Sequence, residues 1–228
     1  MAMRDVADIQ YQGRQARRSG SEQRRQIILD AALHIIVKEG IRAVRHRAVA
    51  READVPLSAT TYYFKDIPDL IVDTFTYFAE RAMADVIVPF RDTAFALLEQ
   101  FADGLKESAE RRTLLLDQLS QIVCDFIMQE ASEQRDHLVA EQAFFAEAII
   151  EPRLAALATL YVRKQREALS EACQLLGSTD PVEDGEILMA VIFRLERRLM
   201  SETGVDAEVV RSQLRRTLEL LVPPAEQP

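Results

Sequence analysis

The chain has 228 residues, of which 48% are hydrophobic and 29% are charged, and its net charge is −9. This composition is typical of a soluble globular protein. The sequence contains no run of about 18 apolar residues, so it predicts no transmembrane helix. The 7 glycines and 8 prolines are few for this length, which favours helix over sheet. Cys124 and Cys173 form no CxxC pair, so we expect two reduced, buried thiols in a cytoplasmic protein.

The charge is unevenly distributed along the chain. Residues 1–65 contain 12 basic and 7 acidic side chains, whereas the remainder contains 16 basic and 30 acidic ones. A basic end joined to an acidic body predicts that the first quarter binds a polyanion, with chance clustering on solvated helix faces as the alternative. The first twenty residues lack the apolar stretch of a secretory signal and are expected to form a basic arm. The arginines that either reach neighbouring phosphates or stay solvated are Arg14, Arg17, Arg18, Arg24 and Arg25.

Three short helical patterns occupy the first part of the chain. Apolar residues at spacings of three and four predict a helix over residues 21–40, with Ser21 as its N-cap and Gly40 as its left-handed stop. A second helix is predicted over residues 45–54. The segment DVPLSATTYYFKD, residues 54–66, is long enough for about two further turns.

Longer helices follow. The first is predicted to begin after Asp66 as a capping residue, with Pro68 in its first turn, and to end at Pro89. The others are expected at about 91–106, 109–131, 134–174 with Pro152 as a kink or break, 183–203 and 206–222, with a loop over 177–185. No segment alternates as a strand does, so the sequence predicts an all-α protein.

The three short helices have the layout of a helix-turn-helix, because the last two are joined by a short turn. In that motif the second helix of the pair lies in the major groove of DNA, and the first crosses the backbone. The hydroxyls of Ser58, Thr60 and Thr61 can donate to phosphates or to base acceptors, and the threonine methyls can meet a thymine methyl.

Two tyrosines and a phenylalanine close this segment. Adjacent helical residues point about 100° apart, so we expect only one of Tyr62 and Tyr63 to face DNA, and Tyr62 is favoured. Such a tyrosine offers a ring to sugars and a hydroxyl to phosphate. Phe64 is expected to fill the core of the three helices.

The stretch IILDAALHIIVKEGIRAVRHRAVAREADVPLSATTYYFKDIPDLI resembles the N-terminal domain of TetR-family (tetracycline-repressor-like) transcriptional regulators. The resemblance covers about residues 22–72 and rests on a first helix ending in EG, then HRAVAREADVP, then a short helix ending in YYFKD. Asp54 stands where the family usually has a turn glycine, and aspartate tolerates a left-handed backbone better than most residues. Pro56 replaces the usual capping serine, and Thr61 occupies a position where tyrosine is common. Residue chemistry and resemblance together imply a DNA-binding set of Arg45, His46, Arg47, Leu57, Ser58, Thr60, Thr61, Tyr62, Tyr63 and Lys65.

The resemblance also implies a domain organisation. It divides the chain into a flexible basic arm (1–20), a helix-turn-helix domain (21–66) and a helical effector-binding and dimerisation domain (67–228). Aromatic side chains that can line an effector cavity, although each also suits an ordinary core, are Phe75, Phe78, Phe101, Phe126, Phe144, Phe145 and Tyr161. Apolar stripes that suit an intersubunit four-helix bundle, and an intramolecular core nearly as well, contain Leu188, Val191, Ile192, Leu195, Leu199, Val210, Leu214 and Leu218.

The resemblance therefore implies a homodimeric regulator, most simply a repressor that a small-molecule effector releases from double-stranded operator DNA. Two alternatives remain. Glu133, His137 and Glu141, spaced four apart, superficially resemble the ligands of a helical-bundle metalloenzyme, but the chain has only three histidines. A helix-turn-helix protein can also act only as a protein-interaction module. We expect no catalytic residue, cofactor, metal ion or membrane contact.

Overall fold

The computed structural model describes residues 19–101 and 108–222. Within these ranges the fold is all-α, as the sequence predicts, and no strand occurs. A 3₁₀ turn at Ile41–Ala43 follows the first helix, and a π turn at Met83–Ile87 joins the fourth to the fifth. The helices are α1 (Ser19–Glu39), α2 (His46–Glu52), α3 (Leu57–Tyr63), α4 (Ile67–Ala82), α5 (Val88–Phe101), α6 (Ala109–Glu133), α7 (Arg135–Ala148), α8 (Pro152–Leu175), α9 (Pro181–Ser201) and α10 (Ala207–Leu221).

Several predicted boundaries change. Helix α1 begins at Ser19, so Ser21 lies in its first turn and does not cap it, whereas Gly40 has the predicted positive φ of 83°. Pro89 does not end a helix but lies near the start of α5. Proline lacks an N–H and crowds the carbonyl four residues earlier. The π turn directly before α5 alters the regular hydrogen-bond register there, which is one way a helix accommodates a proline.

The C-terminal helices are close to their predicted positions. Pro152 marks a break, because α7 ends at Ala148 and α8 begins at Pro152. The predicted loop over 177–185 is shorter than expected, since α9 begins at Pro181, a favourable first position for proline. The basic arm up to residue 18 and the end of the helix predicted at 91–106 lie outside the described residues.

The chain divides into two compact units, whereas the predicted functional division at residues 20 and 66 stays a prediction. Unit 1 comprises Met1–Ala84 and Val139–Tyr161. Its core contains apolar residues of α1, α2 and α4 together with Phe64, which follows α3. Phe75 of α4 lies 5.0 Å from the ring of Phe144 and 6.0 Å from that of Tyr161. Phe75 of α4 therefore contacts both other rings edge-to-face within this core.

Unit 2 comprises Asp85–Leu138 and Val162–Pro228. Leucines and valines of α6, α9 and α10 form most of its core. Arg112 of α6 donates to the carbonyl of Val222 at 2.7 Å and to that of Glu219 at 3.3 Å, which satisfies carbonyls at the end of α10. Cys124 and Cys173 are both buried and free, as predicted, and burial raises the pKa of the Cys173 thiol to about 11.

None of the described helices combines the length and the apolar character that crossing a membrane requires.

A glycine determines how closely α8 and α9 approach inside unit 2. A Cβ atom added at Gly185 would lie 2.8 Å from the backbone nitrogen of Ser170. We therefore expect Gly185→Ala to lower the free energy of unfolding by about 1–3 kcal/mol, because backbone atoms must move apart. Urea unfolding at fixed protein concentration measures this. Gly20→Ala is the control, since nothing lies within 4 Å of its added Cβ, and a Gly185→Ala variant as stable as this control would contradict the expected crowding.

Candidate nucleic-acid interface

The turn between α2 and α3 has the left-handed residue that the sequence predicts. Asp54 has a φ of 49°, the only positive value at a non-glycine residue in the described chain. The N–H of Val55 then donates to the carbonyl of Ala50 at 3.0 Å, which closes the turn over the end of α2. Pro56 precedes α3 without a side-chain cap, also as predicted. Aspartate therefore supports here the geometry for which glycine is the usual residue.

Helix α3 buries one face and exposes the other. Thr60 is 0% exposed and donates to the carbonyl of Leu57 at 2.9 Å, and Phe64, four residues later, is 1% exposed. Leu57, Ser58, Thr61 and Tyr62 are exposed. The prediction for Phe64 is confirmed. The assignment of Thr60 to the DNA-binding set is wrong, because its hydroxyl is sealed inside the protein and already engaged.

The two tyrosines of α3 have different surroundings. Tyr62 is 72% exposed, and its ring meets that of Tyr63 edge-on at 5.1 Å. Tyr63 is half-buried, and its hydroxyl shares a hydrogen bond of 2.9 Å with Ser21 of α1. One tyrosine therefore faces outward while the other ties the end of α3 to α1. Ser21, which the sequence predicted as a helix cap, instead forms the hydrogen bond with Tyr63.

The start of α2 presents two exposed arginines. Arg45 precedes the helix and donates from Nη1 to the carbonyl of Val44 at 2.8 Å, while Arg47 lies in the first turn. His46 between them is half-buried, and its buried Nδ1 has no hydrogen-bond partner among the residues that the structure describes. Arg42 and Arg51 are exposed as well. The sequence prediction omitted these two arginines, although the basic charge of this segment was the signal that includes them.

A buried arginine holds α3 against α1 and α4. Arg25 is 6% exposed, and its Nη2 lies 3.0 Å from Oδ2 of Asp73 on α4. Its guanidinium lies 5.9 Å from the ring centroid of Phe64. Desolvation raises the pKa of Asp73, and the hydrogen bond from Arg25 opposes this shift. Arg25 therefore does not reach for phosphates, which corrects the prediction for it, whereas Arg24 is exposed.

Further polar contacts fix α1 to its neighbours. Tyr77 donates to Oδ1 of Asp30 at 2.8 Å, and Arg81 donates to the same oxygen at 3.2 Å. Burial and then the bond to Asp30 raise the pKa of Tyr77. His34 of α1 lies 2.9 Å from Glu52 of α2. The frame behind α3 is thus held by polar contacts as well as by its core.

The corner between α3 and α4 has the predicted cap. Oδ1 of Asp66 accepts a hydrogen bond from the backbone N–H of Asp69 at 2.7 Å, and Pro68 lies in the first turn. Oδ2 of Asp69 accepts from the backbone N–H of Lys65 at 3.4 Å. The side chain of Lys65 is exposed. These two hydrogen bonds fix the backbone directly after α3.

The aromatic residues predicted to line an effector cavity do not form one group. Phe75, Phe78, Phe144 and Tyr161 are buried together in unit 1, with Phe145 half-buried beside them. Phe126 lies in unit 2, where it stacks on Phe90 at 4.0 Å, and Phe101 of unit 2 faces the guanidinium of Arg111 at 5.4 Å. Effector binding by the unit 1 cluster stays a prediction.

The residues predicted for the dimer interface are largely used inside the chain. The members that are buried in the core of unit 2, and so cannot contact a partner directly, are Leu188, Leu195, Val210, Leu214 and Leu218. This corrects the prediction, and the reason is that the apolar stripes of α9 and α10 pack within unit 2, where α10 also packs on α6. Val191, Ile192 and Leu199 are half-buried at the edge of that core. The large apolar residues of α9 and α10 that are exposed are Val182, Ile187, Val209 and Leu220.

The three residues considered as metal ligands do not lie on one helix. Glu133 is exposed at the end of α6, and His137 and Glu141 belong to α7. His137 instead lies 3.1 Å from Glu130. In the ranges that the structure describes, no group of three or more His, Cys, Asp or Glu side chains is arranged to hold a metal ion.

The fold is similar to those of several transcriptional regulators. No family model and no curated protein matches the sequence. A member of the TetR family from Streptomyces coelicolor A3 is 26% identical, with 88% of this chain and 99% of that chain covered and a TM-score of 0.59. The multidrug binding protein EbrR, solved with imidazole and also with proflavin, is 27% identical in the imidazole complex, with 90% and 93% covered and a TM-score of 0.56.

A more distant protein supports the fold alone. A transcriptional regulator from Rhodococcus sp. Rha1 is 14% identical, with 90% of this chain and 99% of that chain covered and a TM-score of 0.64. The similarity therefore extends over nearly the whole chain and includes the helix-turn-helix of α2 and α3. In its all-α fold and its helix-turn-helix, the chain is thus similar over nearly its whole length to transcriptional regulators that include a member of the TetR family.

Proposed function

We propose that this DNA-binding regulator is a homodimeric repressor that holds operator DNA with the exposed face of α3 and is released by a small-molecule effector. The observation that carries the proposal is the two-faced character of α3. Thr60 and Phe64 anchor one side, while Ser58, Thr61 and Tyr62 are exposed on the other. A polar, rigidly mounted helix face is what major-groove binding requires.

The proposed contacts divide into two kinds. Arg45 and Arg47 at the start of α2, and Lys65 after α3, supply positive charge for phosphates. Ser58, Thr61 and Tyr62 supply hydroxyls and a ring to the groove. Leu57 is exposed and can offer an apolar contact to a thymine methyl. His46 and Tyr63 are half-buried, so their proposed part is to hold these groups in place.

The position of α4 supports release by an effector. Phe75 and Phe78 on α4 belong to the aromatic cluster of unit 1, and the same helix begins three residues after Phe64. An effector that displaced this cluster would shift α4 and with it the anchored end of α3. Half-sites on DNA are about 34–36 Å apart, so a displacement of a few ångströms (~3 Å) weakens simultaneous binding by both subunits.

The similarity to EbrR supports an effector with an aromatic ring for this protein. It is described as a multidrug binding protein and was solved with imidazole and with proflavin. Rings of such ligands stack on aromatic side chains, and a cationic ring gains further from their π faces. We therefore propose small aromatic molecules as the effector class.

The first test is selection of duplexes by the purified protein from a random pool, followed by variants of the interface. We expect Arg47→Ala and Tyr62→Ala each to weaken binding to the selected duplex about tenfold, and Arg47→Ala to reduce the salt dependence by about one phosphate contact per subunit. Fluorescence anisotropy across salt concentrations measures both quantities.

Thr60→Val is the matched control for this surface. It removes a hydroxyl from the same helix, but from the buried face, so we expect unchanged DNA affinity and a loss of stability of about 1 kcal/mol. Retention of full affinity by the double variant Arg47→Ala/Tyr62→Ala would refute the proposed surface.

The effector proposal is tested on the protein–duplex complex. Proflavin and imidazole are titrated into it, and we expect an aromatic compound of this class to raise the thermal midpoint of the free protein and to dissociate the selected duplex. Both effects should weaken in Phe78→Ala. Compounds that stabilise the protein without releasing DNA, or that act equally on Phe78→Ala, would count against this cluster as the effector site.

The dimer proposal concerns the exposed side of α9. Ile187 is 48% exposed, and a charge at this position would be buried unpaired in an interface. We expect Ile187→Glu to shift the sedimentation coefficient from dimer toward monomer at micromolar concentration. Leu114→Glu on α6 is the control, because Leu114 is 49% exposed and lies outside α9 and α10. Equal dimer stability in both variants would place the interface elsewhere.

A further inference from the structure

An arginine far from the helix-turn-helix in sequence contacts the corner that follows α3. Arg153 lies in the first turn of α8, 84 residues from Asp69, and both belong to unit 1. Its Nη1 donates to Oδ1 of Asp69 at 3.2 Å, and its Nη2 lies 3.8 Å from Oδ1 of Asp66. Its Nε donates to Oε1 of Glu151 at 3.2 Å. One guanidinium therefore lies over both capping carboxylates.

The carboxylates of Asp66 and Asp69 both accept backbone hydrogen bonds at the start of α4. Asp66 caps α4 through the N–H of Asp69, and Asp69 accepts the N–H of Lys65. The caps also place two negative charges beside Lys65, which in the proposed function approaches a DNA phosphate. Exposed charges interact over about 8 Å at physiological salt, so these carboxylates would repel the same phosphate.

We propose that Arg153 is a positioning residue for DNA binding, which compensates the charge of Asp66 and Asp69 and so lets Lys65 approach phosphate next to a carboxylate-capped helix. This inference rests on the proposed function. It adds a residue of α8 to a surface that the sequence confines to residues 45–65. Arg153 need not contact DNA itself.

A second arginine, Arg25, forms an ion pair with the next carboxylate of α4, that of Asp73. Asp66, Asp69 and Asp73 are spaced three and four residues apart, so they lie along one side of α4. Arg25 pairs with Asp73, and Arg153 pairs with the other two. The acidic side of α4 is thus covered by arginines from α1 and α8.

The geometry of Arg153 is more constrained than that of an isolated surface pair. Its hydrogen bond with Glu151 raises its pKa most; desolvation opposes this rise, and the charges of Glu151, Asp66 and Asp69 add to it. The side chain is 47% exposed, so each pair by itself contributes little to folding. Its effect is therefore expected in DNA binding more than in stability.

The experiment compares Arg153→Gln in two backgrounds on the duplex that the wild-type protein selects. In the wild-type background we expect affinity to fall about three- to fivefold at low salt, the size of one exposed charge interaction, and the difference to shrink as salt rises from about 50 to 200 mM. In an Asp66→Asn/Asp69→Asn background we expect Arg153→Gln to have no effect. Asparagine caps helices as well as aspartate does, so these changes remove charge while keeping the cap.

Arg163→Gln is the matched control. Arg163 lies on the same helix, is 49% exposed and pairs with Glu167 at 3.6 Å, but it has no partner at the α3–α4 corner. We expect this variant to bind the duplex like the wild type. The thermal midpoint of every variant is measured alongside, and for Arg153→Gln it should stay within about 2 °C of the wild type, as expected for an exposed pair.

Three results would overturn the inference. Unchanged affinity of Arg153→Gln, in a wild type that binds its duplex, removes the role. A loss that persists in the asparagine background shows that Arg153 acts on DNA directly and not through the carboxylates. A loss that follows the thermal midpoint shows a purely structural role. If the wild type selected no duplex at all, the proposed function would fail and this inference with it.

Discussion

The orientation of α3, and with it the proposed DNA-binding face, depends on the burial of Phe64. This ring follows α3 directly, lies in the core of unit 1 and is covered on one side by the guanidinium of Arg25. Full burial of a phenylalanine side chain stabilises a fold by about 1.5–3 kcal/mol. Because Thr60 is buried on the same side of a helix of only 7 residues, the rotation of α3 about its axis is fixed. The outward direction of Ser58, Thr61 and Tyr62 follows from that rotation.

Charge is the second constraint around α3. In the proposed interface Arg45, Arg47 and Lys65 supply the positive charge, yet α4 begins with carboxylates that its own N-terminus favours. The structure reconciles these demands by pairing. Arg25 and Arg153 come from different helices and cover the carboxylates of α4 in turn. In the proposed function, this pairing lets acidic caps lie next to a basic binding surface.

In unit 2 the apolar stripes of α9 and α10 were predicted correctly, but most of their residues pack within the chain and not against a second subunit. The stripes of α9 and α10 are as apolar as an intersubunit bundle needs, and the sequence allowed either use. Leu188, Leu195 and Leu214 lie in the core of their own unit, so only residues at its edge and on the outer sides remain for a second subunit. An apolar stripe indicates that one face of a helix is buried, but it does not indicate whether the same chain or a second subunit buries it.

The sequence by itself determined the all-α class, the order of the helices, the left-handed turn at Asp54, the cap at Asp66 and the core position of Phe64. These features depend on periodicity, on backbone preferences and on side chains acting within a few residues. The tertiary structure alone decided that Thr60 is sealed, that Tyr63 bonds Ser21, that Arg25 is buried and that Arg153 reaches the α3–α4 corner. Each of these contacts joins residues that are distant in sequence, or depends on how a helix is rotated in the core, and no local pattern encodes that.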